Sequence, residues 1–362
     1  MSEVVTELRG GVGLITLNRP KALNALSLAM IRDLSAALLA WRDDAAIHAV
    51  AIRGQGREGP FGAFCAGGDI RFFHVAALAG NPELEEFFND EYALDHLIHR
   101  YPKPFVAFMD GIVMGGGMGL SQGAALRIVT ERTRMAMPET GIGLFPDVGG
   151  GYFLGRCPGR IGEYLALTGA PIGAGDAIAA GLADVAVRSG ALPELWEQLS
   201  ALPRETFPAA LREHVAANAI GSDAPLVRER SRIDRFFDLP GVVGIIGALE
   251  ADPSAWAAQT ASLLRKRSPL MLHVTLEQLR RGRTMGLADD LRMERDLMHR
   301  CFQLRGGTSN ETLEGIRAVV VDKDADPHWN PARIEDVAAD MVSSMFDSPW
   351  RAETHPLRHL VG

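Results

Sequence analysis

The 362-residue sequence carries 37 Lys and Arg against 45 Asp and Glu, a formal charge of −8 that argues against a protein which coats nucleic acid. With 47% apolar and 23% charged residues, its composition is that of an ordinary globular protein and excludes disorder over most of the chain. The longest uncharged stretch, 111–126, is glycine-rich and has 16 residues, fewer than the 18 or more of a membrane span. The composition therefore predicts no nucleic-acid partner and no membrane partner.

The cysteines and histidines carry little chemistry of their own. Cys65, Cys157 and Cys301 are odd in number and widely spaced, which fits neither a disulfide framework nor a zinc site. The ten histidines show no metal-binding pair and flank no serine-nucleophile elbow, so we expect no metal. The amino terminus lacks a basic start followed by an apolar run, which predicts no secretory signal and a cytoplasmic protein.

The first predicted elements are a hairpin and a helix. Apolar residues flank Gly10-Gly11 and predict paired strands over 4–8 and 12–17, because a Gly-Gly turn suits the twist of a hairpin. Ser27 is expected to cap the helix that follows. The apolar face of that helix is predicted to consist of Ile31, Leu34, Leu38 and Trp41.

Strand signals continue over 47–52 and 105–109, with a glycine-rich loop over 54–68 and helical segments through 83–99. After residue 155 they thin out, and 185–187 is the last short strand. The later helical patterns are predicted over 195–202, 209–219, 255–265 and 271–280. We therefore predict an α/β core over residues 1–202 and a mostly helical region over 203–362.

Two glycine segments are candidates for ligand contact. Phe-Cys-Ala-Gly-Gly-Asp-Ile occupies 64–70 and Met-Gly-Gly-Gly-Met-Gly occupies 114–119, directly after the strand predicted to end at Asp110. Glycine lets the backbone approach a ligand, and two converging N–H groups would form an oxyanion hole. The alternative is that the glycines only permit tight packing. Neither segment has the pattern of a phosphate loop or a dinucleotide-binding loop, and Cys65 is expected to be a buried structural residue.

Three acids are candidates for proton transfer or binding. Glu139 and Asp147 each follow a proline in apolar, glycine-rich surroundings, where partial burial would raise the pKa toward neutrality. The alternative is that both cap helices or accept hydrogen bonds from loop N–H groups. Glu91 lies in the acidic run that starts at Glu83, and the residues alone predict a solvated helix position for it.

Several longer stretches resemble one family. Residues 19–26, 64–71 and 111–117 together resemble the crotonase (enoyl-CoA hydratase/isomerase) superfamily. Within it, 136–154 is similar to the 3-hydroxyisobutyryl-CoA hydrolase subgroup of valine degradation, and 314–331 resembles the same subgroup. The segment 203–268, an expected insert, shows only weak resemblance. The resemblance implies a spiral of ββα units followed by a helical carboxy-terminal region.

The resemblance also assigns residues. It places an acyl-CoA thioester carbonyl between the N–H groups of Ala66 and Gly116 and makes Glu139 a catalytic glutamate. The second hydratase glutamate would fall at position 119, where this chain has Gly119, whereas the hydrolase subgroup pairs Glu139 with an aspartate that matches Asp147. Further substrate contacts are expected from Lys21, Ala22, Gly67, Gly68, Asp69, Arg71 and Glu91. Of these, Glu91 is expected to bind the acyl hydroxyl, and Lys21 and Arg71 are the nearest cations for the CoA phosphates, unless they are plain surface charges.

The expected function is hydrolysis of a short β-hydroxyacyl-CoA thioester, with 3-hydroxyisobutyryl-CoA as the leading substrate. Glu139 would act as general base or as a nucleophile that forms an anhydride, and Asp147 would orient Glu139 or the substrate. The alternatives are a hydratase or isomerase of the same superfamily and a non-catalytic acyl-CoA binder. No cofactor is expected because CoA is part of the substrate. The oligomeric state is open, and a homo-oligomer is compatible with the sequence.

Overall fold

The computed structural model describes residues 2–303 and 310–362. Strands and helices are mixed up to residue 187, and the regular elements of the described chain after that residue are helical. The strands are β1 (Val4–Arg9), β2 (Val12–Leu17), β3 (Ala49–Gly54), β4 (Phe105–Met109), β5 (Ile112–Met114), β6 (Leu126–Thr130), β7 (Arg134–Ala136) and β8 (Val185–Val187).

The helices differ widely in length, and most of the longer ones lie in the second half of the chain. Up to residue 200 they are α1 (Leu28–Arg42), α2 (Ile70–Ala79), α3 (Glu83–His99), α4 (Gly116–Gln122), α5 (Gly150–Gly155), α6 (Ile161–Thr168), α7 (Ala174–Ala179) and α8 (Leu192–Gln198). Later come α9 (Phe207–Ala217), α10 (Pro225–Phe237), α11 (Val242–Ala251), α12 (Ala255–Leu264), α13 (Pro269–Gly282), α14 (Leu287–Phe302), α15 (Glu311–Ile316) and α16 (Ala339–Met345). Short 3-10 turns include Pro20–Ala22 and Glu139–Ile142.

The described chain forms two compact units that interleave along the sequence. Unit 1 comprises the described residues up to Gly68 together with Ala93–Ala136 and Ile172–Arg228. Unit 2 comprises Asp69–Tyr92, Met137–Pro171 and the described residues from Glu229 to Gly362. The expected domain boundary at residue 202 coincides with none of these unit boundaries and stays a prediction.

Unit 1 is built on a six-stranded sheet in the order β1-β2-β3-β4-β6-β8, with a separate parallel pair of β5 and β7. β1 and β2 form the antiparallel hairpin predicted at Gly10-Gly11, and the other neighbours in the large sheet are parallel. Parallel strands are covered on both faces, which explains why β4 is an unbroken apolar run that is buried throughout. The core beside this sheet includes Leu14, Val106, Phe108, Ile128 and Trp196.

Several predicted elements are confirmed. α1 begins after Ser27, whose Oγ accepts a hydrogen bond from the Met30 N–H at 3.2 Å, and its predicted apolar face is buried. β4 and β8 have the predicted bounds, and the helical character of the chain after residue 187 is as expected. The prediction that the second glycine segment directly follows the 105–109 strand is wrong, because β5 intervenes. A three-residue strand that runs into glycines has no periodicity by which it could be recognised.

Unit 2 is dominated by helix packing. α13 packs against α5, α6, α11 and α16, and α14 packs against α5, α15 and α16. The 3-10 turn Glu139–Ile142 packs against α13 and α15, which bury it from two sides. In residues 2–303 and 310–362, no helix is long and apolar enough to cross a membrane, and no group of three or more His, Cys, Asp or Glu is arranged to hold a metal ion.

Candidate active site

The two glycine segments lie side by side in unit 1. The N–H groups of Phe64 and Cys65 donate to the carbonyl oxygen of Ile112, and the Met114 N–H donates to the Cys65 carbonyl oxygen at 3.0 Å. A Cβ added to Gly117 would lie 2.5 Å from that same Cys65 oxygen, so only glycine allows this approach. The backbones of the two segments are therefore adjacent, and convergence of their N–H groups on one point stays a prediction.

Asn24 locks the first glycine segment in place. Its buried side-chain amide donates hydrogen bonds of 2.9–3.1 Å to the carbonyl oxygens of Gln55, Ala63 and Phe64, and its Oδ1 accepts from the Arg19 N–H. Its φ of 56° lies in the left-handed region that asparagine tolerates better than most residues. In the sequence, Asn24 stood out only as part of the stretch 19–26 that resembles the family. A lone asparagine in a loop carries no signal of such a role.

The Ala66 N–H, expected to be an oxyanion donor, has an acceptor within the fold, and its role as a donor to the substrate stays a prediction. The Ala66 N–H donates a hydrogen bond of 3.0 Å to the Leu23 carbonyl oxygen, so it is committed within the fold. The N–H groups of Gly67, Gly68 and Gly116 have no acceptor within the described residues. A Cβ on Gly67 would lie 3.5 Å from the Gly116 nitrogen, which shows how closely the two backbones approach. The glycine N–H groups of unit 1 are therefore further candidates for donors to an oxyanion.

Cys65 behaves as the structural residue that the sequence predicted. Its side chain is fully buried, and its Sγ lies 3.2 Å from the Asn24 carbonyl oxygen in hydrogen-bonding geometry. Burial in apolar surroundings disfavours the thiolate that a nucleophile requires.

Glu139 opens the 3-10 turn Glu139–Ile142 of unit 2 and is 7% exposed. Its Oε2 has no hydrogen-bond partner within the described residues. Burial raises the pKa of the Glu139 carboxyl well above its usual value, and the negative charge of Asp147 adds to the rise. A desolvated carboxyl with one oxygen that accepts no hydrogen bond is suited to proton transfer or to nucleophilic attack.

Asp147 lies in the same unit and is 8% exposed. Its Oδ2 accepts a hydrogen bond of 2.8 Å from the hydroxyl of Tyr92, which is fully buried on α3. Burial raises the pKa of Asp147 to about 6, and the Tyr92 hydrogen bond opposes that rise. Burial and the nearby acids Asp147, Glu294 and Glu91 raise the pKa of Tyr92 above its usual value, so it stays a hydrogen-bond donor. Sequence reasoning did not identify Tyr92.

The prediction of a solvated Glu91 from the residues alone is wrong, since this side chain is only 2% exposed. Leu84, Phe87 and Phe88 are also buried, and with Glu91 they recur at helical spacing along one face of α3. That spacing is visible in the sequence and places Glu91 on the apolar face despite the acidic run around it. The role as a ligand of the acyl hydroxyl stays a prediction.

A second pair of acids holds the segment that carries Asp147. Glu294 and Asp290, four residues apart on α14, are both fully buried. Glu294 accepts hydrogen bonds from the N–H groups of Gly149 and Gly151, and Asp290 accepts one from the Tyr152 N–H. Sequence reasoning missed both acids because α14 itself was not predicted.

The remaining predicted contact residues have simpler surroundings. Lys21 is exposed and Ala22 half-buried in the turn Pro20–Ala22 of unit 1, and Arg71 is exposed on α2 of unit 2. Asp69 caps α2 through a 3.2 Å hydrogen bond from the Phe72 N–H, which is the structural alternative for an acid at this place. Contacts of these four residues with CoA stay predictions.

Gly119 has a steric reason to be glycine. A Cβ at this position would lie 2.7 Å from Oδ1 and 2.8 Å from Cγ and Oδ2 of Asp95. The buried Asp95 carboxylate therefore takes the room in unit 1 that a side chain at position 119 would need.

The family model described as enoyl-CoA hydratase/isomerase matches residues 12–346. The chain belongs to the enoyl-CoA hydratase/isomerase family. Its relatives include proteins named "3-hydroxyisobutyryl-CoA hydrolase, mitochondrial". The protein of Gallus gallus is 42% identical over 350 residues, covering 95% of this chain and 89% of the relative. The protein of Homo sapiens is 40% identical over 351 residues, covering 96% and 89%.

Two crystal structures share the fold over nearly the whole chain. A carnitinyl-CoA dehydratase from Mycobacterium thermoresistibile is 40% identical with a TM-score of 0.88, covering 96% of this chain and 97% of that one. An enoyl-CoA hydratase from Rhodobacter sphaeroides 2.4.1 is 38% identical with a TM-score of 0.85, covering 96% and 98%. The α/β, crotonase-like fold predicted from the sequence is confirmed.

Proposed function

We propose that this protein hydrolyses the thioester of a short β-hydroxyacyl-CoA, with 3-hydroxyisobutyryl-CoA as the leading substrate. The observation that carries the proposal is the buried pair of Glu139 and Asp147 in unit 2, with glycine at position 119 in place of a second hydratase glutamate. The name shared by relatives at 40–42% identity supports the same reaction.

In this proposal the backbone N–H groups of Gly116 and of Gly67 or Gly68 stabilise the oxyanion. Attack on the thioester carbon places negative charge on the carbonyl oxygen, and preorganised donors favour that charge. Each such donor contributes about 3 kcal/mol or more to the transition state in other oxyanion holes. Their freedom from acceptors within the described chain supports this role.

Glu139 is the group that acts on water or on the thioester. An acid with a raised pKa is a stronger base once it is ionised, so burial of Glu139 favours removal of a proton from an attacking water. The same carboxylate can attack the thioester carbon directly, which expels the CoA thiolate and leaves an anhydride for water to cleave. Asp147 is proposed to orient Glu139 or the substrate in both routes.

Glu91 is proposed to accept a hydrogen bond from the acyl hydroxyl. Glu91 is 2% exposed, and a site that hydrogen-bonds a substrate hydroxyl rejects the analogue that lacks it, which would favour hydroxylated acyl groups over plain ones. The resemblance implies the same role. Placement of the reaction in valine degradation follows from the proposed substrate alone.

The proposal needs no cofactor beyond the CoA of the substrate. Lys21 and Arg71 are the proposed partners of the CoA phosphates, since both are exposed cations next to the recognised segments. The sequence predicts the cytoplasm, whereas the vertebrate relatives are named mitochondrial, so the compartment of this protein stays a prediction. A homo-oligomer likewise stays a prediction.

A hydratase or dehydratase is the second candidate, favoured by the names of the two similar crystal structures. The resemblance implies that hydration in this superfamily uses two glutamates, and Gly119 removes one of them. The room at that position is taken by Asp95. We therefore rank hydrolysis first.

The two reactions are separated by one experiment. The purified protein is incubated with 3-hydroxyisobutyryl-CoA and with crotonyl-CoA, while free thiol and enoyl absorbance are followed in parallel. We expect thiol release from the hydroxyacyl substrate and no loss of enoyl absorbance. Loss of enoyl absorbance without free thiol would reject hydrolysis in favour of hydration.

A further inference from the structure

The turn that carries Asp147 contains a backbone conformation that its residue type disfavours. Val148 has φ of 56° and is 3% exposed, and Gly149 follows with φ of 87°. Glycine adopts such angles freely, but a β-branched residue in the left-handed region is a genuine outlier. Such strain persists only where the surrounding contacts leave no alternative, and it is concentrated at functional sites.

The contacts that hold this turn come from α13 and α14. Glu294 accepts hydrogen bonds from the N–H groups of Gly149 at 2.7 Å and Gly151 at 2.9 Å. The Gln278 amide donates to the Pro146 carbonyl oxygen at 2.6 Å and to Glu294 Oε1 at 2.9 Å. These hydrogen bonds hold the main chain at Pro146, just before Asp147, and at Gly149, just after Val148.

Asp290 holds the chain just after this turn at a further point. Its Oδ2 accepts a hydrogen bond from the Tyr152 N–H at 2.8 Å, and Asp290 lies one helical turn before Glu294 on α14. A Cβ added to Gly151 or Gly282 would lie 2.3 Å or 2.7 Å from Asp290 Oδ1, so the acid is wedged between two glycines.

We propose that Glu294 and Gln278 hold Val148 in its left-handed conformation and thereby fix the direction in which Asp147 presents its carboxyl group. They are positioning residues, since they act through the backbone of the turn. This inference rests on the proposed thioester hydrolysis, in which Asp147 orients Glu139 or the substrate. It assigns to α14, through Glu294, the positioning of this turn, which the reaction chemistry alone would not require.

The first test replaces Glu294 by the isosteric glutamine. Glu294→Gln puts an NH₂ group where three donors now converge, so at least one hydrogen bond to the turn is lost. We expect kcat to fall at least tenfold and KM to change by a smaller factor, because the direction of Asp147 matters most in the transition state, whether it orients Glu139 or the substrate. Gln278→Met, which removes the amide at similar size, is expected to give a smaller loss of the same kind.

The decisive variant relieves the strain. Val148→Gly removes the penalty for the left-handed conformation, so the turn needs less restraint. We expect the Glu294→Gln/Val148→Gly protein to recover at least threefold in kcat over Glu294→Gln alone. A merely structural role of Glu294 predicts no recovery, and a double variant at or below the single one would overturn the proposal. Asp289→Asn, an exposed acid next to Asp290 on the same helix, is the matched control and should leave kcat unchanged.

Hydrogen exchange read from peptides covering 146–152 separates failure of this inference from failure of the proposed function. Glu294→Gln should raise exchange in that segment at least tenfold relative to wild type, and Val148→Gly in the same protein should reduce it again. If the wild-type protein releases no thiol from any hydroxyacyl-CoA, the proposed function fails. The exchange data then still test whether Glu294 and Gln278 hold the turn. Unchanged exchange in both Glu294→Gln and Gln278→Met would overturn the proposal that these residues hold the turn, whatever the activity.

Discussion

The hydroxyl of Tyr92 donates a 2.8 Å hydrogen bond to Oδ2 of Asp147, and both side chains are buried. The bond favours the ionised carboxylate, whereas burial favours the protonated acid. The two effects leave the pKa of Asp147 at about 6. Tyr92 therefore favours the charged form of an acid that lies in the same unit as Glu139 and interacts with it electrostatically.

Tyr92→Phe should move the acid side of the pH–activity profile. In wild type we expect kcat/KM to fall toward acid pH as Asp147, with a pKa of about 6, and Glu139, whose pKa is also raised, take up protons. Without the hydroxyl the pKa of Asp147 rises, so the fall should begin about one to two pH units higher, because a hydrogen bond to a charged group contributes ~1.5–3 kcal/mol. The measurement is kcat/KM for thiol release between pH 4.5 and 9.

Tyr101→Phe is the matched control for that profile. The Tyr101 hydroxyl donates a 2.8 Å hydrogen bond to the Leu38 carbonyl oxygen and touches no acid of the candidate site. Its loss should leave the profile in place. A Tyr92→Phe profile that coincides with the control would show that Asp147 does not govern the acid limb.

Asp147→Asn should stabilise the protein at neutral pH. The folded state binds the Asp147 proton up to about pH 6, against 3.8 as the reference value, so wild-type stability falls as the pH rises between these values. The asparagine variant lacks this loss, and its free energy of unfolding should exceed that of wild type by about 2–3 kcal/mol above pH 6. The gain should vanish below about pH 4.

Urea denaturation at pH 4 and pH 7.5 measures that difference, and thiol release should be lost in the same variant. Asp223→Asn serves as control, because the exposed Asp223 pairs with Arg228 and its pKa is lowered by that contact. Its substitution should give no gain in stability at pH 7.5. Equal stability of Asp147→Asn and wild type at both pH values would show that burial of this acid costs nothing.

The sequence predicted those parts of the fold that have a regular pattern. β4 and the hairpin of β1 and β2 follow from apolar runs and a Gly-Gly turn, and α1 follows from the spacing of its apolar residues. β5 and β7 were missed because β5 runs directly into glycines and β7 begins with a charged residue, so neither is a separate apolar run as β8 is. α14 was missed although Asp290 and Glu294 stand four residues apart on one face, since buried acids break the apolar pattern that marks a helix.

The candidate site was predictable only as far as residue types and resemblance reach. Glu139 and Asp147 were found because acids beside prolines and glycines in apolar surroundings are unusual. The hydrogen bond from Ala66 to Leu23 and the one from Tyr92 to Asp147 join residues distant in sequence, with nothing local to indicate them. Sequence alone therefore indicated which acids matter, while the structure showed what orients them.

Glu139→Gln should abolish most of the turnover without abolishing binding. Glutamine keeps the shape of the side chain but neither accepts a proton at neutral pH nor attacks a thioester, so kcat should fall by ~10² or more. KM for the hydroxyacyl-CoA should stay within about threefold of wild type. Glu277→Gln, a half-exposed glutamate paired with Arg281 on α13, is the control and should keep wild-type kcat. A Glu139→Gln enzyme with wild-type kcat would remove Glu139 from the mechanism.

Gly119→Ala should destabilise the protein even though alanine favours helices. The new Cβ would lie 2.7 Å from Asp95 Oδ1 and 2.8 Å from its Cγ, so we expect a loss of about 1–3 kcal/mol in the free energy of unfolding. Gly244→Ala on α11 is the matched control, because a Cβ there meets nothing within 4 Å and should add about 0.5–1 kcal/mol.

The cause of that loss is tested by a double-mutant cycle with Asp95→Ala. Removing the Asp95 carboxylate opens the room that the new methyl group needs, so the double variant should be more stable than the sum of the single effects predicts, by about 1 kcal/mol or more. The same crowding predicts that Gly119→Glu alone will not create crotonyl-CoA hydration, since the glutamate cannot enter while Asp95 is present. Additive stability effects, or hydration by Gly119→Glu in the presence of Asp95, would show that the Asp95 side chain moves aside easily. Crowding by Asp95 would then not explain the glycine at position 119.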